Sequence, residues 1–424
     1  MREMKDSGVR WLGDIPCCWK VMRVKHGFFR KKEEAHQDSP VVLSLARAGV
    51  RERDISNNEG QIAESYYNYN PVDVDDLLIN PMDLYSGANC SISKIQGVIS
   101  QAYINLRYKP GFDPKYYDYY FKIQYWMMAF FAHGKGVSFE NRWTLNAETL
   151  MNYPIIVPSL DEQKRIADYL DSKCSKIDEI IAKQEQIIEK LKEYRLSVIT
   201  ESVTKGLNPD ILKKDSGISW MGEIPSHWKL PKIKYIASIS SGGTPDRNVP
   251  EYWNGDINWV KTGELQNTYL FDTEEKITEL ALNSSSAKVF PEDTILMAMY
   301  GQGKTRGMTA LLKTPSTTNQ ACAGITVNNK TMSTQYLWTC LMGAYNAIRE
   351  KALGSGQPNL SGALIGDFTV TMPPLDEQEA ICVYIEKRIP IIDESIMKIE
   401  KMLDLLGDYK KSLIYEVVTG KKEV

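Results

Sequence analysis

Residues 6–20 read DSGVRWLGDIPCCWK and residues 215–229 read DSGISWMGEIPSHWK, with nine of fifteen positions identical at a constant offset of 209. A second box follows each. PSLDEQ at 158–163 matches PPLDEQ at 373–378, and that offset of 215 persists through Asp178 and Glu179 against Asp393 and Glu394, Tyr194 against Tyr409, and Val203-Thr204 against Val418-Thr419. A period of about 210 residues is the size of a domain, not the 20–50 residues of a stacked solenoid repeat. The chain is therefore a duplication of one plan: short box, variable globule, second box, long helix. The intervening segments 21–157 and 230–372 align with each other only at their edges.

The helices follow from the pattern after the second boxes. Between 161 and 201 apolar residues recur at Ile166, Leu170, Ile177, Ile181, Ile187, Leu191, Tyr194 and Val198 with charges between them. That spacing is the heptad signature of a helix packed along its length on another helix. Ser159 and Glu162 fit a capping box, and Gly206 and Pro209 mark the far end. The second copy repeats the stripe at Ile381, Ile385, Ile392, Ile396, Ile399, Leu406 and Leu413, but lacks the capping Ser at position 374 and carries Pro390, which should kink or restart the helix. The two stripes most simply bury each other as an antiparallel coiled coil; the alternative is that each helix packs only on its own globule.

Length and composition fit this plan. The 424 residues exceed one ordinary core and are 43% hydrophobic and 25% charged, with a formal charge of −3. That balance excludes a disordered or strongly basic chain, so any nucleic-acid site must come from local charge placement. Residues 21–150 hold 15 basic and 15 acidic side chains, and 230–366 hold 12 and 11. Seven irregularly spaced cysteines argue against a disulfide framework, and four scattered histidines argue against structural zinc. The N-terminus MREMKDSG has no apolar core of the secretory kind and no apolar run is long enough to span a bilayer, which predicts a cytoplasmic protein without membrane contact.

Both globules read as α+β. Strands are expected at 41–45, 76–80 and 97–106 and an aromatic-rich helix at 114–132 in the first; strands at 257–262, 294–300 and 321–327 and a helix at 334–353 in the second. Their loops combine glycine with Asn, Gln, Lys and Arg, the donors and acceptors needed for base edges and phosphates: GGTP at 242–245, GQGKTRG at 301–307, TTNQ at 317–320 and GSGQPNLS at 354–361. The first globule offers NPMDLYSGAN at 80–89, SQAY at 100–103 and HGKGVSFENR at 133–142. Ordinary solvated turns would have the same composition.

Catalytic signatures are missing from the pattern. The GKT at 303–305 lacks the earlier glycine of a phosphate loop, since position 298 is Ala, and NPMD at 80–83 lacks the second proline and the aromatic ring of a base-gripping methyltransferase loop. No glycine-rich strand-to-helix turn is set to hold a nucleotide-like cofactor. The Asp-Glu pairs at 161–162 and 376–377 sit in first helical turns, where the helix dipole accounts for them. The sequence describes a binder.

The duplicated order of DSGxxWxGxIPxxW, globule, PxLDEQ and long helix resembles the DNA-specificity subunit of Type I restriction-modification systems, over essentially the whole chain. The likeness rests on Trp11, Gly13, Ile15, Pro16 and Trp19 with Trp220, Gly222, Ile224, Pro225 and Trp228, on both LDEQ boxes, and on Gly242, Gly243, Thr244, Pro245, Trp253, Gly255, Asp256, Trp259, Asn319, Gln320, Gly354 and Ser355. It implies an N-terminal frame box at 1–20, a first target recognition domain at 21–157, a central helix at 158–208, a second box at 209–229, a second target recognition domain at 230–372 and a C-terminal helix at 373–424.

In this resemblance each globule reads one half of a bipartite, asymmetric target in double-stranded DNA, and the helices set the spacer. Two methyltransferase subunits dock on the frame and restriction or translocase subunits join them. The chain itself would be non-catalytic and without cofactor, with S-adenosylmethionine, ATP and Mg²⁺ in the partners. The DNA contacts expected from loop chemistry are Tyr85, Ser100, Lys135 and Arg142, and Lys261, Gln302, Lys304, Arg306, Asn319, Gln320, Gln357 and Asn359. Trp11, Trp19, Trp220 and Trp228 either dock the partners or anchor the chain's path into each domain. The rival classes are a stand-alone DNA adenine methyltransferase and a non-catalytic coiled-coil scaffold.

Overall fold

The computed structural model describes residues 2–46, 49–55, 63, 65–82, 84, 89–136, 143–301, 303–352 and 359–424. The chain divides into two units, Met1–Gln184 with Lys401–Val424, and Glu185–Glu400. Each unit contains one globule and one segment from each long helix.

Both long helices form. The central one spans Leu160–Lys205 and the C-terminal one Leu375–Val418. Strict heptad positions line the seam: Leu170, Cys174, Ile177, Ile181 and Gln184 in the first unit, then Ile188, Leu191, Arg195 and Val198 in the second. Ile187 and Tyr194, expected in the stripe, instead lie beside it at 41% and 44% exposure. Where apolar residues are neighbours, as at Ile187 and Ile188, the 3.5-residue repeat selects the one that continues it, and here that is Ile188.

The helix segments are antiparallel within each unit, and one ion pair crosses each seam. Lys410 Nζ lies 2.5 Å from Asp178 in the first unit, and Arg195 Nε donates to Asp393 at 2.8 Å in the second. Asp178 and Arg195 become Asp393 and Lys410 under the offset of 215, so the two bridges are copies of each other. Pro390 neither ends nor restarts its helix, which runs unbroken through it. The seam on either side, Ile389 and Ile392, is buried and holds the course although the proline supplies no N–H. Pro390→Ala is expected to raise the stability of the second unit by about 1–3 kcal/mol, measured as a higher midpoint in urea. An unchanged or lower midpoint would mean that the proline fits at no cost.

The first globule is built on an antiparallel four-stranded sheet in the order Phe28–Lys31, Ile104–Tyr108, Leu77–Ile79, Cys90–Ile92. Below it lies the aromatic helix Pro114–Trp126, capped by the Asp113 carboxylate, which accepts from the Tyr116 amide. The expected strand at 97–106 is two strands, Gly97–Ile99 and Ile104–Tyr108, separated by a turn in which Tyr103 N donates to Ser100 O. The expected helix at 114–132 stops at Trp126 and is followed by a separate turn at Phe131–His133.

The second globule has a five-stranded sheet in the order Ala237–Ser241, Cys322–Val327, Ile295–Ala298, Thr309–Leu312, Thr268–Leu270, and a three-stranded sheet around Trp253–Val260. The helix expected at 334–353 is two, Thr334–Gly343 and Tyr345–Glu350. Gly343 lies against Thr200 and Val203 of the central helix, where a side chain would crowd its neighbours.

The repeated boxes splice the frame. In the first unit Trp19 is buried and donates its indole N–H to Glu162 at 2.8 Å; in the second Trp228 donates to Glu377 at 2.9 Å. The capping box is thus only half made: Ser159 accepts from the Glu162 amide at 3.3 Å, while the Glu162 carboxylate turns to tryptophan. The same indoles also receive a helix end. The central helix stops at Gly206 (φ +70°) against Trp228, and the C-terminal helix at Gly420 (φ +75°) against Trp19. At both glycines the left-handed conformation disfavours a side chain, and a Cβ would crowd the Trp228 ring at Gly206 and collide with Pro16 and Trp19 at Gly420. Each tryptophan therefore joins the start of one long helix to the end of the other.

Gln163 and Gln378 complete the splice. Gln163 Nε2 donates to Pro158 O and Gly111 O, and its carbonyl accepts from the Asp113 amide at 2.8 Å. Gln378 repeats this with Pro373 O, Thr331 O and the Ser333 amide, also at 2.8 Å. Asp113 and Ser333 are the N-caps of the helix in each globule that packs on the frame. Tyr116 and Tyr336 then donate to Val418 O and Val203 O, the last turns of the long helices.

Candidate nucleic-acid interface

In the second unit, sheet topology brings the expected loops to one edge. Ser241 pairs with Ala323, Cys322 with Ala298, and Val260 with Thr318 in parallel, so the segments after 241, 260, 298 and 318 and before 322 all emerge together. Backbone bonds tie them: Gly243 N to Thr318 O at 2.8 Å, Asn319 N to Val260 O at 3.2 Å, Met299 N to Ala321 O at 2.8 Å, and Leu360 N to Met299 O at 3.0 Å. Lys304 and Gln320 are exposed, and Arg306, Asn319 and Asn359 are half-buried. Thr244 donates to the Gln320 side-chain carbonyl and fixes its orientation. The Asn319 side-chain carbonyl accepts from the Ala321 amide at 3.1 Å, which shapes the turn that carries Gln320.

Lys261 stands differently from the expectation. Its ammonium lies 2.9 Å from Glu274 and 3.1 Å from Glu275, and the bonds to Glu274 and Glu275 raise its pKa above the ordinary lysine value. A lysine already shared between two carboxylates contributes little field to a phosphate. The neighbouring cation is Arg247, which the loop chemistry had not singled out. Its guanidinium lies 3.9 Å from the Trp253 ring centre and 4.8 Å from that of Trp259, and donates to Glu275. Burial opposes ionisation of Glu275, but the bonds from Arg247 and Lys261 outweigh it and keep its carboxyl below the ordinary range. The signal was available in the spacing of Arg247, Trp253 and Trp259, because a planar cation stacks on aromatic faces.

In the first unit Ile79 pairs with both Ile104 and Cys90, which places the ends of the 80–89 loop and the Ser100–Tyr103 turn at one sheet edge. The Ser100 hydroxyl accepts from the Ala102 amide at 3.3 Å. Lys135 is exposed and its backbone pairs with Thr144, and Leu145 N donates to Pro81 O, so this strand pair adjoins the same loop. Tyr85, Arg142, Gln302 and Gln357 lie outside the described residues. Among the described residues no group of three His, Cys, Asp or Glu side chains is arranged to hold a metal, and no helix is long and apolar enough to cross a membrane. The segment GQGKTRG joins two antiparallel strands, Ile295–Ala298 and Thr309–Leu312, whereas a phosphate loop leads from a strand into a helix.

The tryptophans divide into two kinds. Trp19 and Trp228 are each 1% exposed, so docking through them is corrected: their faces are covered and their N–H groups are spent on Glu162 and Glu377. Trp11 and Trp220 are half-buried. Trp11 stacks on Tyr153 and Trp220 on Phe368, and those partners are again related by 215.

The chain matches the Type I restriction modification DNA specificity domain over residues 56–193 and 225–401, more than half its length, and belongs to that family. Among relatives, the MjaIX Type I specificity subunit of Methanocaldococcus jannaschii is 33% identical over 168 residues, 38% of this chain and 38% of that subunit. The MjaVIII specificity subunit of the same organism is 24% identical over 366 residues, covering 82% and 81%. The fold is shared with a chain from a structure concerned with complex assembly and conformational transition of the type I R-M system (12% identity, TM-score 0.72, 96% and 99% covered). It is also shared with the HsdS subunit from Thermoanaerobacter tengcongensis (12%, TM-score 0.51, 96% and 98%).

Proposed function

We propose that the chain carries the target sequence for a Type I restriction-modification complex: residues 21–157 read one half of a bipartite site in double-stranded DNA, residues 230–372 read the other, and the long helices set the spacer. The observation that carries this is a contrast. Frame contacts recur copy for copy, as in Trp19–Glu162 with Trp228–Glu377 and Asp178–Lys410 with Asp393–Arg195, while the loop edges share no such correspondence. A repeated frame suits two equivalent methyltransferase subunits, and unlike edges suit an asymmetric target. Base contacts are proposed for Ser100 and Lys135 in the first globule and for Lys304, Arg306, Gln320 and Asn359 in the second, joined by Tyr85, Arg142, Gln302 and Gln357. Asn319 shapes a turn, and Lys261 acts through Glu274 and Glu275.

Docking is proposed through the helices rather than the buried indoles. Ile180, Ile187 and Tyr194 stand seven residues apart and exposed on the central helix, and Met402 and Tyr409 are the exposed copies of Ile187 and Tyr194. S-adenosylmethionine, ATP and Mg²⁺ are assigned to the partner subunits, with the cytoplasm as the compartment. The test is exchange of residues 230–372 for the equivalent segment of a relative, followed by mapping of methylated sites in a host genome. One half-site should change while the other half-site and the spacer persist. Unchanged sites would favour a scaffold, and methyl transfer by the purified chain alone would favour a methyltransferase.

A further inference from the structure

The loop between Ile295–Ala298 and Thr309–Leu312 is held from beneath by two side chains that no sequence motif indicated. Gly301, Gly303 and Gly307 have φ of +136°, +60° and +83°, so the backbone course depends on residues with little preference of their own. A loop of this composition would ordinarily exchange among many courses, and fixing one of them costs backbone entropy at every residue. The short helix Tyr345–Glu350 supplies the restraint. Arg349 donates through one terminal nitrogen to Gly303 O at 2.7 Å and through the other to Arg306 O at 2.9 Å. That second nitrogen also donates to the Tyr345 hydroxyl at 3.0 Å, and the hydroxyl donates in turn to Lys304 O at 2.6 Å.

Three carbonyls in four residues are thereby drawn to one side. Tyr345 and Arg349 stand at i and i+4 on one helix face, with the guanidinium 5.2 Å from the ring centre. Ile348, buried at 3% exposure, roots the helix in the globule. Lys304 stays exposed at the crest of the loop. A rigid backbone beneath a base-reading side chain preserves the bond angles on which discrimination depends.

We propose that Arg349, with Tyr345, is a positioning residue for target recognition: it touches no base, but sets the backbone from which Lys304 and Arg306 read the second half-site. This rests on the assignment of the second globule to one half-site. A planar fork is required, because an ammonium cannot span two carbonyls with fixed geometry. Loss of the fork therefore loosens specificity without removing any group that contacts DNA.

The experiment uses the whole chain with its methyltransferase subunits and reads methylated sites in a host genome, then compares methylation of duplexes carrying the preferred site or single mismatches in either half. Arg349→Met should lower discrimination against second-half mismatches about 10-fold or more, Arg349→Lys should fall between it and the parent, and Tyr345→Phe should produce a smaller loss of the same kind. Discrimination in the first half and the spacer should hold, and that internal control separates positioning from general damage. If Arg349→Met prevents assembly, Arg349→Lys and Tyr345→Phe carry the test. Unchanged second-half discrimination in assembled variants, with Lys304→Ala altering it, overturns the inference and spares the half-site assignment. Loss of discrimination equally in both halves also overturns it. If exchange of residues 230–372 leaves every site unchanged, the half-site assignment fails first.

Discussion

Deleting residues 409–424 is expected to unfold the N-terminal globule and leave the second unit intact. Leu413, Ile414, Val417 and Val418 are buried in one core with Leu12, Ile15, Trp19 and Tyr116, and Val418 O accepts from the Tyr116 hydroxyl at 2.9 Å. Each such side chain contributes about 1.5–3 kcal/mol on burial, which sums to roughly 6–12 kcal/mol over the four. Domains are stable by only about 5–15 kcal/mol, so the loss is of the order of the whole. Hydrogen exchange followed by peptide mapping provides the measurement. Amides at 70–79 and 104–126 should lose protection while those at 295–298 and 322–343 keep it. Full protection throughout the first unit would show that the globule stands without the helix end.

The second large effect is expected at the paired glutamines. Gln163 is fully buried and makes three bonds to backbone groups, as does Gln378. Replacing Gln163 with Ala leaves the Asp113 amide, Gly111 O and Pro158 O without their partner and opens a cavity, a cost of about 3–5 kcal/mol. Gln163→Glu should do no better. The carboxylate still accepts from Asp113 but cannot donate, and it would face two carbonyl oxygens. Gln378→Ala should cost the same in the other unit. The urea midpoint of the altered unit, followed by hydrogen exchange, distinguishes the two substitutions. A loss below about 1 kcal/mol at either site would mean that water replaces the amide freely.

The frame was legible because its signals are periodic or repeated. The offsets of 209 and 215 located both boxes, heptads located both helices, and Gly206 marked a true end. Errors arose where two local choices were nearly equal. Ile187 and Ile188 both suit the stripe, and only the partner helix decides between them. Pro390 disfavours a helix locally, yet packing at Ile389 and Ile392 prevails.

The Asp-Glu pairs were assigned to the helix dipole, but Glu162 and Glu377 also hold indoles, a long-range contact with no local signature. At the candidate interface, side-chain type singled out loops but not their meeting at one edge, which is a matter of sheet topology, and it could not separate Lys304, which is exposed, from Lys261, which is shared between carboxylates. Arg349 has no local signal because it acts on carbonyls more than 40 residues away, whereas Arg247 has one in Trp253 and Trp259.

Beside its apolar packing on the globules, the frame has one contact in each unit that is made to main-chain atoms alone. Gln163 and Gln378 bind carbonyls and amides of the globules, not their side chains. Those glutamine contacts are indifferent to the residue types that supply the carbonyls and amides. A recombining population could therefore exchange a globule between the boxes and keep these contacts, provided that the newcomer brings an apolar face for the helix ends.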